Sequence, residues 1–218
     1  YMDKWLYLLF ALAYLFLFIF MIRSMKRNGI ASLSNVLILV ILPLIYDNTI
    51  LGVGSWIGEG QTLEVLNTAR YWMHAILTPL LIVFSLGVLR RARVNWANTS
   101  AALWVTIAYA FAAFMVELVT VLLNLSLEAE VKYGVLSYGS TNSPSGPPIM
   151  ILMVTLALLV SSIILWKRTG WFWMFIGVAL MLVGSMVDIP VESAAVTNAF
   201  ELILLTSLVM TKLHQDRN

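Results

Sequence analysis

The feature that most constrains this chain is its supply of uninterrupted apolar runs. A spanning helix needs roughly 20 mostly apolar residues to cross about 30 Å of hydrocarbon. Seven runs approach or meet that requirement: residues 5–22, 33–51, 71–89, 101–125, 149–166, 171–187 and 194–211. The first, fifth and sixth carry no charge at all. A backbone in lipid must satisfy its own hydrogen bonds, so each run is expected to be a helix. The reading is an all-α, polytopic integral membrane protein: one seven-helix transmembrane bundle over residues 1–218. With 61% hydrophobic and 11% charged residues and a mean hydropathy of +0.92, the composition excludes an ordinary soluble globule. The absence of cysteine removes disulfides, thiolate catalysis and cysteine-ligated metals, and two histidines make an all-protein zinc site an unfavourable reading. The first run lacks a basic leader and a small-residue cleavage site, so it is read as a span rather than a secretory signal.

Orientation follows from counting Lys and Arg in alternate connections. One set holds Arg23, Lys26, Arg27, Arg90, Arg91, Arg93, Lys167, Arg168, Lys212 and Arg217, ten in all; the other holds Lys4, Arg70 and Lys132. The ten are expected in the cytoplasm, which puts the amino terminus outside and the carboxyl terminus inside, in the cell (inner) membrane. Short connections on that side make successive helices antiparallel neighbours. Of the two longer outer connections, residues 52–67 carry four glycines and suit a tight hairpin or irregular cap, and residues 126–148 read as an external flap. No internal repeat of the kind found in many carriers is visible.

Ionisable groups in hydrocarbon cost on the order of 3 kcal/mol each, so each one is a functional candidate. Asp47, Asn48, Asp188 and Glu192 are expected at the outer helix ends as interfacial or capping groups. Arg70 and His74, one turn apart near the outer end of the third span, either hold an anion or carboxylate or leave His74 as a packing residue. Glu117 and Glu201 lie roughly 10–12 Å inside the fourth and seventh spans by helical rise. A carboxyl there takes up a proton or is compensated by Arg70, His74 or a cation; its bland alternative is a neutral acid bonded to Asn198, Asn124 or a backbone carbonyl. Ser193, Thr197 and Glu201 recur every four residues and share one stripe of the last helix. With Tyr46, Arg70, His74, Glu117 and Asn198 they are expected to line an outward-opening polar cavity. No two of His74, Glu117 and Glu201 have ligand spacing within one helix, so no metal site is assigned.

The third span contains Arg70-Tyr71 followed after six residues by Thr78-Pro79-Leu80-Leu81. This string resembles the third helix of the microbial rhodopsins, the bacteriorhodopsin superfamily. Tyr46 in the second helix and residues 199–207 of the last also look like that family. The resemblance covers the first three helices and the seventh, and is poor for the fourth to sixth. It implies a seven-helix bundle with the orientation above. It also puts Thr197 where the family carries its retinal-binding lysine, Ser193 and Met73 at the counter-ion positions, Phe84 at the proton donor and His74 in place of a pocket tryptophan. A Schiff base cannot form on threonine, so no covalent retinal is expected.

The leading functional expectation is therefore an opsin-like receptor, sensor or transporter whose cavity binds a small ligand or ion. A second reading is an accessory or structural subunit of a membrane complex, as a homo-oligomer or with other proteins, holding a carotenoid, quinone or other lipid noncovalently. A third is an intramembrane lipid-modifying enzyme using His74 with Glu117 or Glu201 as acid and base. Nothing resembles a phosphate loop, a nucleophile elbow or a paired-histidine metal motif, so enzyme readings rank last. The expected partners are the lipid bilayer and the ligand, with no nucleic acid.

Overall fold

The computed structural model of the chain describes residues 2–144, 148–186 and 193–218. Its helices are α1 (Asp3–Asn28), α2 (Leu37–Ile57), α3 (Gln61–Leu77), α4 (Leu80–Arg91), α5 (Ser100–Thr120), α6 (Ile149–Thr169), α7 (Trp173–Met186) and α8 (Ala195–Arg217). Among the described residues, one hairpin, β1 (Leu127–Lys132) with β2 (Val135–Ser140), accompanies these helices. Six helical stretches among the described residues are long and apolar enough to cross a membrane, with α3 and α4 forming a single stretch broken at Thr78-Pro79. The chain is thus an all-α integral membrane protein. α7 is shorter, at 14 residues. Asp188 and Glu192, together with the last residue of the sixth apolar run, lie outside the described residues.

Hydrophobicity all round a helix leaves small differences in side chain to decide which face turns inward. On α1 the buried Tyr7, Ala11, Tyr14 and Met21 recur at helical spacing and face the bundle, while Trp5, Leu9, Leu12, Phe16 and Phe20 are exposed on the other side, where lipid would lie. α1 packs on α2 and α8, α7 packs on α8, and α4 touches α2, α5, α6 and α8. The core holds Tyr14, Phe84, Met150, Leu158, Met174 and Leu208, all fully enclosed. α7 approaches α8 through Gly177, where an added Cβ would sit 2.0 Å from Ser207 Oγ. Lipid gives helices no hydrophobic drive to associate, so contacts of this close, small-residue kind carry the packing.

The structure differs from the sequence reading in three boundaries. Residues 52–67 are almost wholly helical, since α2 continues to Ile57 and α3 starts at Gln61; only Gly58–Gly60 turn, with Gly58 and Gly60 at φ +86° and +149°. The flap contains a hairpin closed by Tyr133-Gly134, both at positive φ (50° and 80°), the backbone of a tight turn matched to strand twist. Lys212 is not in a loop after the last span, because α8 runs to Arg217 and encloses it at 1% exposure.

At the helix ends remote from the hairpin, Asp216 of α8 accepts hydrogen bonds from Ser24 of α1, Arg91 of α4 and Lys212 of its own helix. Lys212 Nζ also donates to Ser24 Oγ at 2.8 Å. Gln215 Nε2 donates to the Val88 carbonyl at 3.0 Å, so three helices are locked at one point. Asp216→Asn would leave two cations without a counter-charge in an enclosed site, and should lower unfolding free energy by about 3 kcal/mol in denaturant titration.

Candidate functional site

Lengthening α2 and α3 moves several polar groups from helix ends to helix middles. Asp47 and Asn48 stand ten and nine residues from the end of α2, so the expectation that they cap a helix end is wrong. Arg70 lies nine residues, about 13 Å, inside α3 rather than near its start. A charge at such depth needs a partner, and these two find each other: Arg70 Nε donates to Asp47 Oδ1 at 2.6 Å. Arg70 Nη1 also donates to Asn67 Oδ1 at 2.6 Å, and the buried Asn67 is fixed by its own bond to the Leu63 carbonyl. Asn48 is fully buried and donates to the Leu44 carbonyl at 2.9 Å.

Beside this pair lies a cavity of about 930 Å³. α3 contributes Arg70, Tyr71 and His74, the last with Nδ1 3.3 Å from Thr78 Oγ1. α5 contributes Glu117 and Thr120; α8 contributes Thr197, Asn198 and Glu201. Its deep wall is apolar, with Leu44, Leu81, Val154, Met181, Leu204 and Leu205. The hairpin forms the opposite wall, and the exposed Lys132, Tyr133, Ser143 and Pro144 mark the mouth there. Glu130 Oε2 lies 2.7 Å from Lys132 Nζ, and this hydrogen bond raises the ammonium's pKa above its ordinary value.

Six of the eight residues assigned to a cavity from sequence therefore line one space: Arg70, His74, Glu117, Thr197, Asn198 and Glu201. Tyr46 does not, because its hydroxyl donates to the Leu66 carbonyl at 2.9 Å and ties α2 to α3. Ser193 does not either; it precedes the first turn of α8 and donates to Asp3 Oδ2. The expected Ser193–Thr197–Glu201 helical stripe is thus shortened at its first member. Glu117 stands three residues before the end of α5, and the apolar stretch that holds it runs on to Asn124, seven residues beyond it. Tyr7, Asp47, Tyr71 and Thr120 also line the cavity and were not assigned to it from sequence. The opposite signs of Asp47 and Arg70 in neighbouring apolar runs were the available clue.

The side chains of Glu117 and Glu201 carry neither a hydrogen bond nor an ion pair among the described residues. Among those residues no three His, Asp or Glu side chains gather closely enough to hold a metal ion. Comparison with family models, curated proteins and solved structures finds no match for the chain.

The hairpin wall is docked by two hydrogen bonds across elements: Ser140 N–H donates to the Tyr71 hydroxyl, and Gly60 N–H donates to the Tyr138 hydroxyl, both at 3.0 Å. At Gly54 of α2 an added Cβ would stand 2.1 Å from the Leu136 carbonyl, so the hairpin backbone lies directly on the helix. Tyr71→Phe removes one docking acceptor, worth about 1 kcal/mol. Amide exchange at Ser140 should then quicken about fivefold while amides of α6 keep their rates; unchanged exchange at Ser140 would show that the bond does not hold the wall.

Proposed function

We propose that this chain is an opsin-like, seven-helix protein of the cell membrane that binds a small ligand noncovalently in its cavity, as a receptor, sensor or transporter. α7 is taken as the seventh span, the hairpin end as the outside, and the end carrying Arg91, Lys212 and Asp216 as the cytoplasmic side. With Lys212 and Arg70 set aside as enclosed within α8 and α3, nine basic residues at or beyond one set of helix ends against two at the other support that orientation. The observation that carries the binding reading is a cavity of about 930 Å³ inside an apolar bundle, lined on one side by polar groups and on the other by aliphatic ones. That volume is at the upper end of the range of small-molecule sites, roughly 300–1,000 Å³, and a few convergent polar groups on an apolar wall are their usual make-up. Thr197 lines the cavity at the position the rhodopsin resemblance gives to a lysine, so occupancy there is reversible rather than a Schiff base. The apolar wall suits the ligand's hydrocarbon portion, whether lipid, pigment or another amphiphile. On the far side, the enclosed Ser24–Arg91–Lys212–Asp216 cluster closes the bundle, which favours access from the hairpin end.

The test is titration of nanodisc-embedded protein with the neutral fluorophore N-phenyl-1-naphthylamine. Saturable enhancement beyond that of protein-free nanodiscs is expected. Leu204→Trp, which fills the deep wall, should weaken it about tenfold, a loss of about 1.4 kcal/mol, with helical content unchanged by circular dichroism. Enhancement equal in protein-free discs, or indifferent to Leu204→Trp, would contradict a ligand cavity.

A further inference from the structure

The charges on the cavity wall do not balance. Among the described residues, five carboxyl side chains line it, those of Asp3, Asp47, Glu117, Glu130 and Glu201, against the cations of Arg70 and Lys132. Both cations are already engaged: Arg70 by Asp47 and Asn67, Lys132 by Glu130. Asp3 accepts the hydroxyl of Ser193. Glu117 and Glu201 are left without partners among the described residues, one on each of two helices facing the same space. Glu201 is half-buried and lines the cavity. An anionic headgroup entering here would meet unpaired carboxyls and no unpaired lysine or arginine among the described residues.

Resting on the reading of the cavity as a binding site, we infer that its ligand is an organic cation with an apolar body. The cationic centre lies toward Glu117 and Glu201 and the body lies against Leu81, Val154 and Leu204. A bare inorganic cation fits poorly, because the space is far larger than a dehydrated ion and holds no cluster of three metal-ligating groups among the described residues. An amine or quaternary ammonium on a hydrocarbon frame satisfies both walls. The rings of Tyr7 and Tyr71, which also line the cavity, offer the electron-rich surface that such cations favour. A charge entering a low-dielectric site is retained only where an opposite charge can form, and two unpartnered carboxyls can supply it by releasing a proton as the cation arrives.

The test pairs two probes of nearly identical shape and opposite charge, tetraphenylphosphonium and tetraphenylborate. Each displaces N-phenyl-1-naphthylamine from protein in nanodiscs, with protein-free discs subtracted. The cation should bind at least about tenfold more tightly than the anion. Glu201→Gln and Glu117→Gln should each weaken the cation about tenfold and leave the neutral fluorophore's affinity within about twofold, which also reports that the variants fold. Glu201→Asp should recover part of the loss. Equal binding of the two ions, preference for the anion, or indifference to both Gln variants would overturn the cation assignment while the cavity still bound the neutral probe. Absence of neutral-probe binding would instead remove the binding reading itself, and with it this inference.

Discussion

A charge placed in hydrocarbon must be paired, wetted or neutralised, and the arrangement of this molecule follows from how it meets that demand. Two groups of charges are met internally. Asp47 and Arg70 join α2 to α3, and Asp216 gathers Arg91, Lys212 and Ser24 from three helices. Each is an ion pair whose members lie on different elements or are shared with a neighbouring helix, so each sets helix register as well as charge balance. The cost of desolvating these groups is offset only when the geometry is kept, which makes the helices intolerant of sliding at both points. The carboxyls of Glu117 and Glu201 are the exception, and they occur where the helices part to leave a cavity.

The two ends differ in kind. At one, a closed cluster of three charged side chains and a serine leaves little space, and the core continues beneath it through Val88, Leu208 and Val209. At the other, a hairpin leans on α2 and α3 through Gly54, Tyr71 and Tyr138 and walls a wide, partly polar space. On the proposed reading, such a protein presents a receptive face to one side of a membrane and a sealed face to the other. That asymmetry agrees with the distribution of lysine and arginine along the chain.

Helices were readable in the sequence because length and apolarity alone demand them, and Arg70, His74, Glu117, Thr197, Asn198 and Glu201 stood out because polar groups in apolar runs are costly. What stayed hidden has physical causes. Helices α2 and α3 outrun their hydrophobic stretches, so Asp47 and Arg70 seemed terminal when they are internal. Glycine-rich sequence suggested a loop at Gly52 and Gly54, whereas close approach of Leu8 and Leu136 is what those positions serve. The hairpin escaped notice because its turn is Tyr133-Gly134, without the Asn-Gly or Asp-Gly pair that signals such a turn, and because strands of six residues in a polar connection give little periodicity. Ser193 was drawn into the site by helical spacing and Tyr46 by its place in the second span, but their hydroxyls are spent on Asp3 and Leu66.

On the proposed reading the cavity is reached from the hairpin side and from no other. The chain has no cysteine, so a single one can be read without background. Thr197→Cys, exposed on the cavity wall, would be treated with a membrane-impermeant methanethiosulfonate in vesicles of each sidedness. Modification is expected only when the reagent meets the hairpin face. Modification from the opposite face, or from neither, would contradict the account.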